Sequence, residues 1–161
     1  MRRWAYLAVW IAVLTAIDQG TAGWARHALA EGHAVAIGSG VSLQLLFNTG
    51  AMLGMGSQVP GVITAVGVAG TIVLVVLSLR IPRLAWPLAT MAGGALGNVL
   101  SRLIWHRVTD FIHVNGYPGI FNLSDVALRV GATWLIVALV WDEIRQRRAG
   151  GLASARAREG E

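Results

Sequence analysis

The 161-residue sequence contains no cysteine and no lysine, and only 13% of its residues are charged. Without cysteine, the chain has no disulfide, no thiol nucleophile and no Cys-ligated zinc or iron–sulfur site. Without lysine, it has no Schiff-base amine and no base for a Ser–Lys dyad. The H-E-x-x-H and G-x-S-x-G motifs of zinc and serine hydrolases are absent as well. The chemistry available to the chain is therefore narrow.

What the sequence has in excess is apolar side chains, at 55% of the residues. The formal net charge is +5, but no basic run is interleaved with aromatic residues, so we expect no nucleic-acid partner. The arginines lie instead at the ends of apolar segments. This distribution is typical of a chain embedded in a bilayer.

The apolar segments number four. A helix that crosses the hydrocarbon core needs roughly 20 residues, and four windows reach or approach that length: 4–24, 62–79, 84–104 and 126–141. We predict an all-α membrane protein with four transmembrane helices, in one domain covering residues 1–145. Residues 146–161 are predicted to form a cytoplasmic Arg-rich tail.

The arginines also predict the orientation of the spans. Only Arg26 and Arg107 fall on one side of the predicted membrane. The opposite side holds Arg2, Arg3, Arg80, Arg83, Arg145, Arg147, Arg148, Arg156 and Arg158. Because positive residues favour the inside, both termini are predicted to be cytoplasmic.

The first span has an alternative interpretation as a cleaved signal peptide, because Arg2 and Arg3 precede an apolar run that ends near Ile17. No A-x-A-like cleavage site follows this run. Its removal would also leave three spans, with the termini on opposite sides. We therefore expect it to remain as a transmembrane helix.

The connection between the first and second spans contains an alternating stretch, residues 41–45, with apolar residues at every second position. This alternation is typical of a half-buried strand. Glycines punctuate the surrounding residues, 33–57. We predict a small extracytoplasmic sheet in this region, on the membrane surface.

Three aspartates, Asp18, Asp110 and Asp125, are placed by this topology at the outer membrane face. Carboxylates at membrane depth are costly and indicate function. Two carboxylates that share a poorly hydrated site do not both ionise easily, which is the arrangement that an aspartic protease uses. The alternative is structural: Asp110 as an interfacial loop residue, and Asp125 as a helix N-cap paired with Arg129.

Five short blocks distinguish these interpretations. They are, in order, Asp18-Gln19-Gly20-Thr21, Phe47-Asn48-Thr49-Gly50-Ala51, Gly93-Gly94-Ala95-Leu96-Gly97-Asn98, Val108-Thr109-Asp110-Phe111-Ile112 and Phe121-Asn122-Leu123-Ser124-Asp125. Together they resemble the signature blocks of lipoprotein signal peptidase, the type II signal peptidase of bacteria. The resemblance covers roughly residues 4–142. It implies four transmembrane helices with a small extracytoplasmic β-cradle.

The resemblance also implies a function. The family's members are aspartic endopeptidases of the bacterial cytoplasmic (inner) membrane, which cleave a prolipoprotein just before a cysteine that carries a diacylglyceryl group. Its two catalytic aspartates match Asp110 and Asp125. The residues that match its site support are Asp18, Asn48, Gly50, Asn98, Arg102 and Asn122. We expect prolipoproteins and membrane lipid as partners, a monomer, and no metal or organic cofactor.

The spacing of these residues agrees with such roles. Asn98 and Arg102 are four apart on the third span, so they share a helix face, and Asn122 is three residues before Asp125 and positioned to orient it. A turn or cap is the alternative for each asparagine. Gly93 and Gly97 have the small-xxx-small spacing of close helix packing.

The sequence departs from the family at three kinds of position. Met52-Leu53 replaces a small residue and an aromatic residue in the asparagine–glycine block. Ser101 stands where an acid usually precedes the arginine, and Ala22 and Gly23 stand where a lysine usually follows the Asp-Gln pair. Because a buried arginine without a partner is costly, we expect Arg102 to pair with one of the remaining carboxylates.

These departures leave two alternatives to a peptidase. One is a non-catalytic paralogue that binds lipidated peptides, because a fold does not fix its function. The other is a proton-coupled carrier that uses the three aspartates as a relay. Relay carboxylates are spread across the membrane depth, whereas these three gather at one face.

Overall fold

The computed structural model describes residues 3–51 and 55–159, and the side chains of this part up to residue 147. Four α-helices and four β-strands alternate in blocks along the chain. They are α1 (Arg3–Ala28), β1 (Ala34–Gly38), β2 (Val41–Asn48), α2 (Pro60–Arg80), α3 (Ala85–Trp105), β3 (Val108–Val114), β4 (Ile120–Phe121) and α4 (Leu123–Glu159). Each of the four predicted spans is thus a helix, shifted by at most a few residues at its start.

Three of these helices are long and apolar enough to cross a membrane by length and composition: Arg3–Ala28, Pro60–Arg80 and Leu123–Arg147. Their outward faces carry exposed valine, isoleucine, leucine and tryptophan side chains, as lipid-facing surfaces do. A short 3-10 turn, Pro82–Leu84, joins α2 to α3, and a proline begins each of α2 and this turn. Proline is favoured at a helix start because its missing N–H would have no partner there.

Helix α3 is the centre of the bundle and packs against α1, α2 and α4. Small residues permit these close crossings. A Cβ added at Gly94 would lie 2.5 Å from the carbonyl oxygen of Ser124 in α4, and one added at Gly93 would lie 2.9 Å from Leu14 in α1. The packing interpretation of Gly93 and Gly97 is confirmed, because Gly97 fits against both Asp18 and Ser124.

The strands form one antiparallel sheet in the order β1-β2-β3-β4. The predicted strand at 41–45 is confirmed and extends to Asn48 as β2. The prediction missed β3 and β4, which follow α3. The interpretation of Asp110 as a loop residue is wrong, because it lies in β3 and is paired with Leu46. A bulge between Leu43 and Leu46 interrupts this pairing.

The sheet is attached to the outer end of α1, on the orientation predicted above. Leu45 and Phe111 pack with Ala25 of α1 in a buried apolar cluster. Residues alternate between the faces of a strand, so Val108 and Asp110 point away from the side that carries Thr109. They line a cavity between the sheet and the helices.

Helix α4 begins three residues before the predicted span. Asn122, not Asp125, is its N-cap: the side-chain oxygen of Asn122 accepts the backbone N–H of Asp125 at 2.8 Å. The cap interpretation of Asp125 is therefore wrong. The helical backbone continues to Glu159, through most of the predicted Arg-rich tail.

Candidate active site

Asp110 is buried in β3, with only 2% of its surface exposed. Each of its carboxylate oxygens accepts a hydrogen bond from an asparagine. Asn122 Nδ2 donates to Oδ1 at 2.8 Å, and Asn48 Nδ2 donates to Oδ2 at 3.1 Å. These two amides, one on each oxygen, together fix the plane of the Asp110 carboxylate.

Asp125 lies in the first turn of α4, where its charge is favoured by the helix dipole. Asn98 of α3 donates to Asp125 Oδ1 at 3.0 Å. Among the described residues, none donates a hydrogen bond to Asp125 Oδ2. One oxygen of this carboxylate is therefore held in place, and the other is free to bind a water molecule or a substrate atom.

The two asparagines between these aspartates are themselves hydrogen-bonded. Asn122 Nδ2 donates to Asn98 Oδ1 at 3.1 Å, in addition to its bond with Asp110. An unbroken chain of hydrogen bonds thus runs from Asp110 through Asn122 and Asn98 to Asp125. Asn122 thus contacts both aspartates, accepting the backbone N–H of Asp125 and donating to the carboxylate of Asp110.

The environment of Asp110 shifts its proton affinity. Burial, and then the nearby negative charge of Asp125, raise the pKa of Asp110 to about 6. The hydrogen bonds from Asn48 and Asn122 and the positive charge of Arg102 lower this pKa, but by less. Asp110 therefore keeps its proton to a much higher pH than an exposed aspartate does.

Arg102 lies beside Asp110 and Asp125 but forms no hydrogen bond with either carboxylate. Its Nη2 donates to the carbonyl oxygen of Gly50 at 2.6 Å, and its Nη1 to that of Asn98 at 3.3 Å. Its Nε is buried and has no hydrogen-bond partner among the described residues. The expected ion pair between Arg102 and a carboxylate is wrong, because backbone carbonyls take the place of the counter-ion and the charge acts on the aspartates only through space.

Gly50 belongs to a tight turn that fixes Asn48. The backbone N–H of Gly50 donates to Asn48 Oδ1 at 2.9 Å, and Asn48 Nδ2 donates to the carbonyl oxygen of Ala51 at 3.2 Å. With its oxygen occupied, Asn48 presents only its N–H groups to Asp110. This geometry explains why an asparagine and a glycine occur two residues apart here.

Asp18 is on the far side of the α4 N-terminus and does not line the cavity that holds the other aspartates. Its Oδ1 accepts the backbone N–H of Ser124 at 2.8 Å, and its Oδ2 accepts Gln19 Nε2 at 3.0 Å. The side chain thus stabilises the exposed N–H groups where α4 begins. Asp18 positions the helix that carries Asp125 and does not touch Asp125 itself.

Gln19 connects α1 to α3 at Ser101, one of the departures from the family pattern. Its Nε2 lies 3.0 Å from Ser101 Oγ and 3.0 Å from the carbonyl oxygen of Gly97, so its two N–H groups are shared among these two acceptors and Asp18 Oδ2. Ala22, one turn after Gln19, and Ser101 are both buried. Ser101 is therefore hydrogen-bonded to Gln19 next to the Asp18 carboxylate, while Ala22 is buried on α1.

The aspartates face a cavity of about 430 Å³ enclosed by the sheet, α2, α3 and α4. Apolar side chains form most of its wall, among them Ile63, Val66, Val99, Val108, Ile120 and Leu128. Five of the predicted site residues line it: Asn48, Asn98, Arg102, Asp110 and Asp125. The arrangement holds two carboxylates at a mostly apolar wall, where each charge acts more strongly on the other than it would in water.

The sequence interpretation missed an aromatic cluster at this cavity. Arg129 was considered as an i,i+4 partner of Asp125, but its guanidinium lies 4.9 Å from the ring centre of Tyr117 and 5.0 Å from that of Phe121. These contacts tie the β3–β4 turn to α4. Tyr117, Phe121 and Arg129 lie within 13 residues but in a turn, a strand and a helix, so no single helical or strand period predicts their contact and only the fold reveals it.

Comparison with known proteins identifies the family of this chain. Residues 10–141 match the family model described as signal peptidase (SPase) II. The chain therefore belongs to the signal peptidase II family. The lipoprotein signal peptidase of Hydrogenovibrio crunogenus is 31% identical, over 89% of this chain and 91% of the relative. Those of Burkholderia ambifaria (strain MC40-6) and Bifidobacterium adolescentis are 41% and 34% identical, over 70% and 80% of this chain and 72% of each relative.

Two solved structures of a bacterial membrane enzyme share the fold. One superposes with a TM-score of 0.79, covering 86% of this chain and 90% of its own, and the other with 0.75, covering 84% and 92%. Each is 24% identical to this chain. The likeness therefore extends to the helices and the sheet together.

Proposed function

We propose that this chain is a membrane aspartic endopeptidase that removes the signal peptide from diacylglyceryl-modified prolipoproteins, cleaving before the lipidated cysteine. The observation that carries the proposal is the hydrogen-bonded connection of Asp110 to Asp125 through Asn122 and Asn98 at the wall of an apolar cavity. The relatives' names, lipoprotein signal peptidase, supply the substrate class. The proposed chemistry needs only the two carboxylates and water.

In the proposed mechanism, Asp125 is the ionised partner and Asp110 the protonated one. Asp125 Oδ2, which is free among the described contacts, accepts a proton from a water molecule as the water oxygen attacks the scissile carbonyl carbon. Asp110 gives its proton to the carbonyl oxygen, and a tetrahedral diol forms without a covalent enzyme intermediate. Collapse of the diol breaks the C–N bond, with a proton passing to the leaving nitrogen.

The raised pKa of Asp110 supports this division of roles. At about 6, it is close to the pH at which a general acid must hold and release a proton. A bound peptide would exclude further water from the cavity and raise the pKa of Asp110 again. Asn48 and Asn122 keep the carboxyl group oriented in both protonation states.

The other supporting residues act indirectly, by holding in place the residues that contact the aspartates. Arg102 and Asn98 lie on one face of α3, and Arg102 anchors the turn at Gly50, so it keeps Asn48 in place. Asp18 acts through the α4 N-terminus. We assign these residues to positioning, and the two aspartates to the chemistry.

We further propose that α3 is a fourth membrane span, although its glycines and polar residues make it less apolar than the other three. It is 21 residues long and lies among the other helices, so its polar face meets protein and not lipid. Four spans would put both termini on the same side, and the arginine distribution favours the cytoplasm for that side. The site would then lie at the outer face of the inner membrane. The chain would act there as a monomer.

This location fits the substrate. A peptide bond next to a membrane-anchored cysteine stays at the interface, so the substrate must reach the aspartates sideways from the bilayer. The apolar cavity wall along α2 and α4 suits the lipid chains and the signal peptide, while the sheet covers the exposed segment.

The proposal is tested by incubating the purified chain in detergent micelles with a prolipoprotein that carries the diacylglyceryl group and, in parallel, with the unmodified precursor. We expect a gel shift from cleavage of the modified precursor only, with the new N-terminus at the lipidated cysteine. A chain that binds the modified precursor without cleaving it would be the non-catalytic paralogue. A chain that transports protons when reconstituted in sealed vesicles, and that cleaves neither precursor, would be the carrier.

A further inference from the structure

The two arginines predicted on the outer side of the membrane, Arg26 and Arg107, are distant in the sequence but come together in the fold. Arg26, in the last turn of α1, donates from Nη1 to Thr109 Oγ1 at 3.0 Å. Arg107 immediately precedes β3, two residues before Thr109. Both side chains are therefore beside the same point of the sheet.

Each guanidinium group is also held by an aromatic ring. Arg26 lies 4.7 Å from the ring centre of Trp105, and Arg107 lies 3.6 Å from that of Phe47. Phe47 is the partner of Thr109 across the β2–β3 pair, so the two stacks are neighbours. These contacts limit how far the arginines can move apart.

The approach of two positive groups costs energy. Arg26 and Arg107 are near enough to repel one another, and the favourable charge of Asp18 on Arg26 is weaker than this repulsion. No carboxylate of the described residues lies within 4.0 Å of either arginine. A structural role at the α1 C-terminus accounts for one cation, because cations are favoured there. That role does not account for Arg107, which is exposed and does not belong to α1. An anion from outside the chain best explains why the two arginines lie together.

The depth of the pair in the membrane indicates which anion is present. Trp24 and Trp105, both about half exposed, mark the outer ends of α1 and α3, where aromatic residues meet lipid headgroups. Arg26 stacks on Trp105 and Arg107 follows Trp105 by two residues, so on the predicted orientation both arginines lie near this level. The anionic group found at that level of a bilayer is the phosphate of a phospholipid, and guanidinium groups bind phosphate in a bidentate manner.

We propose that Arg26 and Arg107, with Trp105 beside them, form a binding site for the phosphate of an anionic phospholipid of the outer leaflet. The site is separate from the catalytic cavity, because Thr109 and Asp110 are adjacent in β3 and point to opposite faces of the sheet. Binding there fixes the sheet, and with it β3, against the membrane surface.

The test measures binding of phosphatidylglycerol by the full-length protein, using native mass spectrometry from detergent micelles, with phosphatidylcholine and inorganic phosphate as separate arms. We expect phosphatidylglycerol to bind more tightly than phosphatidylcholine, and inorganic phosphate not to compete with it. Arg107→Gln should weaken the binding of phosphatidylglycerol about fivefold, since one arginine near an anionic surface contributes about that factor. Arg26→Gln with Arg107→Gln should remove the preference.

Arg145→Gln is the matched control, because Arg145 is also exposed and also lies over a tryptophan ring, at 5.4 Å from Trp141, but at the predicted cytoplasmic end. It should leave the binding of phosphatidylglycerol unchanged. An unchanged preference for phosphatidylglycerol in the Arg107→Gln protein would overturn the proposal. So would a preference that persists in the double variant, since the lipid would then be bound elsewhere, for example in the catalytic cavity.

Discussion

Asn122 donates a hydrogen bond to Oδ1 of Asp110 at 2.8 Å. The same side chain caps α4 by accepting the N–H of Asp125, so one residue sets the position of both carboxylates. The amide of Asn122 thereby fixes the position of Asp110, on β3, relative to Asp125, on α4. This makes Asn122 the most informative residue to change outside the aspartates.

Replacing Asn122 separates its two roles. Asn122→Ala removes both the cap and the contact with Asp110, so it should lower the free energy of unfolding by about 1 kcal/mol or more and kcat by roughly a hundredfold. Asn122→Ser restores a good N-cap, but its side chain is too short to reach Asp110. We expect it to recover most of the stability and little of the activity, measured by thermal unfolding and by prolipoprotein cleavage.

Asn115→Ala is a suitable control for these variants, because Asn115 is an exposed residue in the turn after β3. It should leave both the thermal stability and the rate of prolipoprotein cleavage nearly unchanged. If Asn122→Ser cleaved at the wild-type rate, the link between Asn122 and Asp110 would have no catalytic importance.

The raised pKa of Asp110 predicts a pH-dependent stability. The pKa of this carboxyl is about 6 in the folded protein and 3.8 in its ordinary state, so the folded state is favoured at low pH and loses up to about 3 kcal/mol as the pH rises from about 4 to about 6. Asp110→Asn does not titrate. The free energy of unfolding of the variant should therefore rise, relative to that of the wild type, between about pH 4 and about pH 7.

The Asp110→Asn substitution would also disturb the hydrogen bonds from Asn48 and Asn122, which changes the free energy of unfolding by the same amount at every pH. The relevant quantity is therefore how the difference in free energy of unfolding between variant and wild type changes with pH. Denaturation in detergent micelles at several pH values measures it. A difference that stayed flat across this range would show that the pKa of Asp110 is not raised.

The hydrogen-bonded contact between Gln19 of α1 and Ser101 of α3 predicts a compensating pair of substitutions. Ser101→Asp would bury a carboxylate beside Gln19 without a cation, at a cost of about 3 kcal/mol or more in the free energy of unfolding. Ala22→Lys alone would bury a cation in the same way. The double variant should be more stable than the sum of the two single effects predicts, by about 1–3 kcal/mol. Additive effects would mean that the two positions do not share a contact.

Gly97 predicts a steric requirement in the bundle. A Cβ at this position would collide with Ser124 Oγ and lie 2.8 Å from Asp18 Oδ2, so Gly97→Ala should destabilise the protein by about 1–3 kcal/mol or more. Gly70→Ala in α2 is the matched control, since a Cβ there would meet nothing within 4 Å. It should be neutral or stabilising by up to about 1 kcal/mol. Equal thermal stability of the two variants would contradict this packing.

The sequence predicted the helices well because long apolar windows leave few alternatives, and Asn98 and Arg102 were placed on one face by their spacing alone. It predicted one strand of four. The strands β3 and β4 follow the third helix without a long alternating pattern, and their pairing with β2 depends on contacts distant in the sequence. Asp110 was consequently treated as a possible loop residue.

The sequence predicted which residues belong to the site better than it predicted which groups they contact. Resemblance identified Asp18, but its hydrogen bond to the N–H of Ser124 depends on how α1 crosses α4, which no local pattern encodes. The expected ion pair of Arg102 failed for a similar reason: the carbonyl of Gly50, in a distant turn, satisfies the guanidinium instead. Backbone acceptors are present at every residue, so the sequence does not reveal which of them a buried arginine will use.

The most direct test of the proposed carboxylate pair is the rate of cleavage of a diacylglyceryl-modified prolipoprotein by the wild type, Asp110→Asn and Asp125→Asn. Asp142→Asn is the control, since Asp142 lies on α4 with Asp125 but contacts Arg83, at 3.5 Å, away from the cavity. We expect each of the first two variants to lose at least about a thousandfold in rate while remaining folded and binding the substrate, and Asp142→Asn to cleave normally. Cleavage near the wild-type rate by either Asp110→Asn or Asp125→Asn would contradict the pair as the catalytic centre.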